Sequence, residues 1–135
     1  MTQKLEGRPV GFVSTADAEQ ALGFYRDTLG LPLLARDDFG MFFEIGHGLL
    51  RLTPMPDFKP HPHPVFGWEV ADIRAAAAAL AAAGVALIIY EGFGQDEVGI
   101  WTAPDGAAKI AWFADLDGNV LSLSQTGHIA RPSIS

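Results

Sequence analysis

Two stretches of this chain have the same form, and that repeat limits the folds open to it. Residues 10–30 read VGFVSTADAEQALGFYRDTLG, and residues 65–84 read VFGWEVADIRAAAAALAAAG. Each opens on a strand-like run, meets an aspartate suited to cap a helix, continues helically and closes on a glycine. In the first, Asp17 is followed by Gln20, a capping-box-like start. Ala18, Ala21, Leu22, Tyr25 and Leu29 then share one helical face, and Gly30 and Pro32 end the run. Phe24 and Tyr25 are expected to pack that helix. In the second, Asp72 caps a helix through Ala83, with Ile73, Ala76, Ala77 and Leu80 as its buried stripe and Gly84 as its stop.

Each half continues into strand candidates. After the first helix these are 32–37, 41–46 and 49–53, with turns at Asp38-Phe39-Gly40 and Gly46-His47-Gly48. After the second they are 86–91 (ALIIYE) and a hairpin spanning 109–125, separated by the long glycine-bearing loop 92–107. The stretch 55–64, MPDFKPHPHP, has no strand or helix period and reads as an extended, polyproline-like linker. The expected architecture is α+β. One domain over 1–135 is made of module one at about 9–54, the linker 55–64, module two at about 65–126 and a tail at 127–135, each module being βαβββ.

The hairpin is the sharpest local signal. Asp115-Leu116-Asp117-Gly118-Asn119 supplies turn chemistry between two strands. In the second strand Val120, Ser122 and Ser124 alternate with Leu121 and Leu123, so a leucine face should pack on helix while the serine face meets something wetter.

Composition narrows the function classes. The chain has no cysteine, which excludes disulfides, thiolate metal sites and cysteine nucleophiles. Net charge is −7, and the nine basic residues are scattered, so nucleic acid is not an expected partner. No apolar run approaches the length of a membrane helix, so no membrane partner is expected. Met1-Thr2-Gln3-Lys4 leads to Glu6-Gly7-Arg8 without an apolar core, and cytoplasm is the expected location.

The paired modules, the helix signature AEQALGFYRDTLGLPLL and the closing WFADLDGNVLSLSQ resemble the vicinal oxygen chelate superfamily. That group includes glyoxalase I, extradiol dioxygenases, fosfomycin-resistance enzymes and bleomycin-resistance proteins. The resemblance covers about residues 9–126 and implies two βαβββ modules whose mixed sheets curl into a cup around a ligand. It also implies a homodimer. Metal-dependent members hold a divalent ion on His, Gln or Glu at up to four strand positions, where the ion polarises a substrate oxygen. Carried over by spacing, those positions are Val10, Arg51, Val65 and Ser122. Two have no donor atom, one is a cation and one is a poor neutral ligand. Neighbouring Pro9, Gly11, Pro64 and Phe66 do not repair the set. The expectation is a metal-free, cofactor-free member of bleomycin-resistance-like type that binds a small organic molecule.

The ligand-binding candidates are Phe12, Arg51, Glu69, Trp101, Trp112 and Ser122. Arg51 lies between Leu50 and Leu52. It is either an anion or carbonyl anchor or an arginine paired to a carboxylate, with Glu69 or Glu44 as the expected partner. Phe39, Phe42, Phe43, Phe93 and Phe113 are further aromatics that could line a cavity or simply fill the core. Catalytic residues are unassigned; Glu69, Asp96 and Glu97 are the acid–base candidates, although the loop acids Asp96 and Glu97 read more readily as a solvated surface. His61 and His63 sit in a proline-rich run where residues two apart should not share a face, and His47 and His128 read as turn and tail. Two other functions remain open: a metal-free lyase or isomerase using Arg51 and a carboxylate, and a non-catalytic structural or interaction protein.

Overall fold

The computed structural model describes residues 4–127. The chain divides between Pro60 and His61 into two compact units. In the first, strand β1 (Val10–Thr15) leads to helix α1 (Ala18–Leu22), which widens into π turns over Gly23–Thr28. Strands β2 (Leu33–Asp37), β3 (Gly40–Ile45) and β4 (Gly48–Pro54) follow. The sheet order is β1-β4-β3-β2, with β1 parallel to β4 and the other pairs antiparallel.

Sequence chemistry explains the helix entry. The Asp17 carboxylate accepts the Gln20 N–H at 3.1 Å, and the fully buried Thr15 hydroxyl donates to the Asp17 carbonyl at 3.0 Å. Strand and helix are thereby joined through two residues. Further along, the Leu29 N–H reaches back to the Phe24 carbonyl, a wider bonding step than an α-helix uses, just after Gly23 weakens helical preference. Phe24 and Tyr25 are buried, as expected, with ring centres 5.3 Å apart.

Alternation then sorts the sheet. Val13, Thr15, Met41, Phe43, Leu50 and Leu52 are buried. They form one face, and α1 lies against β4. Burying each large side chain of this face contributes on the order of 1.5–3 kcal/mol. Phe12, Arg51 and Phe42 are mutual partners in the register and therefore lie on the opposite face.

The second unit repeats the plan. Its elements are β5 (Pro64–Glu69), α2 (Ile73–Ala82), β6 (Trp101–Thr102), β7 (Ala108–Ala114) and β8 (Val120–Thr126). Their order β5-β8-β7-β6 matches the first sheet, again with first and last strands parallel. Asp72 caps α2 by accepting the Ala75 N–H. The helix closes in a Schellman arrangement: Val85 N–H bonds the Leu80 carbonyl, Gly84 N–H bonds the Ala81 carbonyl, and Gly84 has φ +86°. Ile73 and Ala77 are buried, as are Ala111, Phe113, Leu121 and Leu123 on β7 and β8. The leucine face of the hairpin is the helix-packed one.

One element departs from expectation. Residues 86–91 form no strand; the third strand of the module is the short Trp101–Thr102. Among the described residues, Ile88 N–H is the group of this segment that reaches a strand, bonding the Trp112 carbonyl at 2.7 Å. The Ile88 carbonyl and the Tyr90 N–H are taken instead by the Gln95 side chain, so the segment forms no ladder. The expected tail begins at Gly127, and its remainder, with His128, lies outside the described residues. No helix among the described residues is long and apolar enough to cross a membrane.

Candidate functional site

The face of sheet two opposite its leucines is organised in two cross-strand rows. One runs Glu69, Ser124, Ile110, Trp101; the other runs Gly67, Ser122, Trp112. Four of the sequence-predicted residues, Glu69, Trp101, Trp112 and Ser122, are thus brought to one face. The rows change character along their length. At the β5 end stand a carboxylate and two hydroxyls, and at the β6 end stand indoles.

At the indole end is an open pocket of about 340 Å³ lined by Phe93, Trp101, Ile110 and Trp112. Tyr90 and Phe93 stand edge-on to Trp112, at centroid distances of 5.4 and 6.0 Å and interplanar angles of 82°. Phe93 remains 53% exposed. An exposed phenyl ring beside two indoles presents a surface that gains free energy when an apolar ligand covers it. Ile110 and Phe93 complete the pocket. Phe93 was one of several aromatics that alternation could not place, because it sits in a loop.

That loop is held by two polar side chains. Gln95 accepts the Tyr90 N–H at 2.7 Å and donates to the carbonyls of Ile88 at 2.9 Å and Gly99 at 2.7 Å. Asp96 Oδ1 accepts the N–H groups of Val98, Gly99 and Ile100, each at 2.9 Å, and Oδ2 accepts Arg74 Nη2 at 2.6 Å. Burial is the largest influence on the Asp96 carboxyl and opposes ionisation. The backbone N–H groups of Ile100, Val98 and Gly99, with the charge of Arg74, outweigh it and hold the carboxyl below the usual carboxylate range. Asp96 is therefore a bracket for the loop, and its held charge makes it a poor proton acceptor. Glu97 is exposed on the same loop. Glu69 accepts the Thr126 hydroxyl at 3.4 Å.

On sheet one, Arg51 is partly buried and its guanidinium carbon sits 5.1 Å from the centre of the Phe42 ring. Its Nη2 donates to the Phe39 carbonyl at 3.4 Å. The expected Glu44 partner is turned to Arg8 instead, at 3.7 Å. Glu69 belongs to the other unit. Phe12, across from Arg51, is 65% exposed.

Of the four positions expected by spacing to correspond to metal ligands, two have side chains without a donor atom and one is a cation. Val10 pairs with Leu49, so Arg51 has Phe12 opposite it, two residues further along β1. Val65 falls in a register shift of β5, and Ser122 has Gly67 opposite it. Among the described residues, no group of three or more His, Cys, Asp or Glu side chains converges as a cation site. His61 and His63 stack with ring centres 5.2 Å apart and planes 14° from parallel. The polyproline-based expectation that they diverge is corrected: the run 61–64 bends there as it enters β5.

Residues 10–123 match the model of the Glyoxalase/Bleomycin resistance protein/Dioxygenase superfamily. No curated protein matches the sequence significantly. A Bacillus anthracis protein described as of the glyoxalase family superposes with a TM-score of 0.71 at 17% identity, over 93% of this chain and 99% of that one. A glyoxalase/bleomycin resistance protein/dioxygenase from Nocardioides gives 0.69 at 17% identity, over 99% and 92%. TnmS3, an antibiotic binding protein from Streptomyces sp. CB03234, gives 0.65 at 26% identity, over 93% and 99%.

Proposed function

Because the chain belongs to the glyoxalase/bleomycin resistance protein/dioxygenase superfamily, we propose that it binds a small, largely apolar organic molecule without a metal ion. The observation that carries this is the pocket lined by Phe93, Trp101, Ile110 and Trp112. Its lining side chains are aromatic or aliphatic, and the hydroxyl of Ser122 and the carboxylate of Glu69 stand further along the same sheet face. Such a site takes its affinity from covered aromatic area and its orientation from a few polar groups at one end. The similarity to an antibiotic binding protein supports the same class of function.

Metal independence rests on donor chemistry. Val10, Arg51, Val65 and Ser122 offer no set that fits a divalent ion, so no step is routed through one. A homodimer, usual for superfamily chains of this size, is part of the proposal. Sedimentation tests that part against the 14.4 kDa of one chain.

Indole fluorescence tests the pocket directly. Trp101 and Trp112 line it, while Trp68 stacks against Phe113 in the second module at 6.3 Å. Titration with the neutral planar amide 2-naphthamide is expected to quench emission saturably at one site. Trp112→Ala should weaken that binding about ten-fold or more, as the loss of a stacking wall does. Equal affinity in the variant and the native protein would overturn the proposal.

A further inference from the structure

The face of sheet one opposite its core carries a cation with one buried donor left unpaired. Arg51 stands mid-strand in β4, opposite Phe12 on β1 and Phe42 on β3. Its Nε is buried with no hydrogen-bond acceptor. Its Nη2 has the Phe39 carbonyl at 3.4 Å, beyond the usual range for a good N–H···O bond. Glu44 on the same face is engaged with Arg8. A guanidinium carries five N–H donors and keeps its charge at any ordinary pH. This one is held in place and left short of acceptors.

Two features distinguish it from a spare surface charge. The group is preorganised: the Phe42 ring supports it, with the guanidinium carbon 5.1 Å from the ring centre. Its surroundings are also apolar. Phe12 is 65% exposed directly across the strand pair, although solvent exposure gives a phenyl ring nothing. Beside aromatic rings an arginine–oxyanion pair is less screened by water, and a carboxylate matches two parallel N–H groups of the guanidinium.

We infer that Arg51, Phe12 and Phe42 form a binding site for an organic carboxylate. The guanidinium takes the carboxylate oxygens, and the two rings cover the apolar body attached to them. All three residues belong to module one, and the lining of the aromatic pocket belongs to module two, so each is tested by its own variants.

The experiment is a side-chain NMR titration of the native protein at fixed ionic strength. Arg51 Nε–H is assigned by its absence in Arg51→Lys, and sodium benzoate, benzamide, acetate and inorganic phosphate are added in turn. Benzoate is expected to shift the Arg51 signal saturably, at a concentration about ten-fold below acetate or phosphate, while benzamide leaves it in place. In Arg51→Lys, benzoate binding followed on the Phe42 amide should weaken about five-fold or more although the charge remains. Phe12→Ala should weaken benzoate and leave acetate unchanged. Benzamide binding as tightly as benzoate, or benzoate affinity unaltered in Arg51→Lys, overturns the site. Phosphate outcompeting benzoate overturns the carboxylate assignment. Loss of 2-naphthamide quenching with benzoate binding intact would sink the module-two pocket alone, and the reverse would sink this site alone.

Discussion

Ser122 Oγ fills the space over Gly67. A Cβ on Gly67 would lie 2.2 Å from that oxygen and 2.7 Å from the Ser122 carbonyl oxygen. The two residues are register partners on parallel strands β5 and β8. Gly67→Ala therefore forces the strands apart where the serine row crosses the sheet. Overpacking of this kind costs about 1–3 kcal/mol. Chemical denaturation should show that loss, with partial recovery in Gly67→Ala/Ser122→Gly, because the carbonyl contact survives the double change. A native-like midpoint for Gly67→Ala would contradict the close approach.

The hairpin turn depends on one carboxylate. Asp115 is 6% exposed, and its Oδ1 accepts the N–H groups of Asp117 and Asn119, each at 2.9 Å. Its Oδ2 accepts Asn119 Nδ2 at 2.9 Å. Asp115→Ala leaves these buried donors without their acceptor, a loss of about 2–4 kcal/mol. Asp115→Asn retains one acceptor oxygen and should lose about half as much. Equal stability of the alanine and asparagine variants in urea would show that the turn closes without this side chain.

What the sequence disclosed, and what it concealed, follows from range. The caps at Asp17 and Asp72, the stop at Gly84 and the turn at Asp115–Asn119 are bonds between residues a few positions apart, and residue type alone announces them. Alternation also gave the faces of the last strand, setting Leu121 and Leu123 inward, whereas the pairing of Trp112 with Ser122 is set by register. Register is another matter. Residues two apart on a strand share a face, so alternation cannot decide that Phe12 rather than Val10 stands across from Arg51. Arg51 was legible as a polar residue between two core leucines, but its neighbour Phe42 depends on how β3 pairs with β4.

The missing strand at 86–91 has a testable cause. ALIIYE has strand composition, yet Gln95 holds the Ile88 carbonyl and the Tyr90 N–H from within the following loop. No periodicity signals a side chain that replaces a neighbouring strand. Gln95→Ala should raise amide exchange at Tyr90 about ten-fold or more, because a part-buried N–H loses its acceptor. It should also weaken 2-naphthamide binding, since Phe93 lies between Tyr90 and Gln95 and lines the pocket. Unchanged exchange at Tyr90 would show that the segment is held by something other than Gln95.

Asp96 makes the same loop sensitive to acid. Burial, the largest single influence, raises its carboxyl, while the N–H groups of Ile100, Val98 and Gly99 and the nearby Arg74 lower it further, so the folded value falls below the ordinary one. A depressed folded value means that the carboxylate's contribution is complete above the unfolded value, at about pH 4. The contribution is lost as pH falls through the lower, folded value. Asp96→Asn removes the titration while leaving one acceptor oxygen for the N–H groups of the turn. The stability difference between native protein and Asp96→Asn should therefore be constant at neutral pH and shrink as pH drops below about 4. Urea midpoints measured from pH 7 down to the acid limit check the sign. A difference that grew on acidification would mean that burial, not the N–H groups, governs this carboxyl.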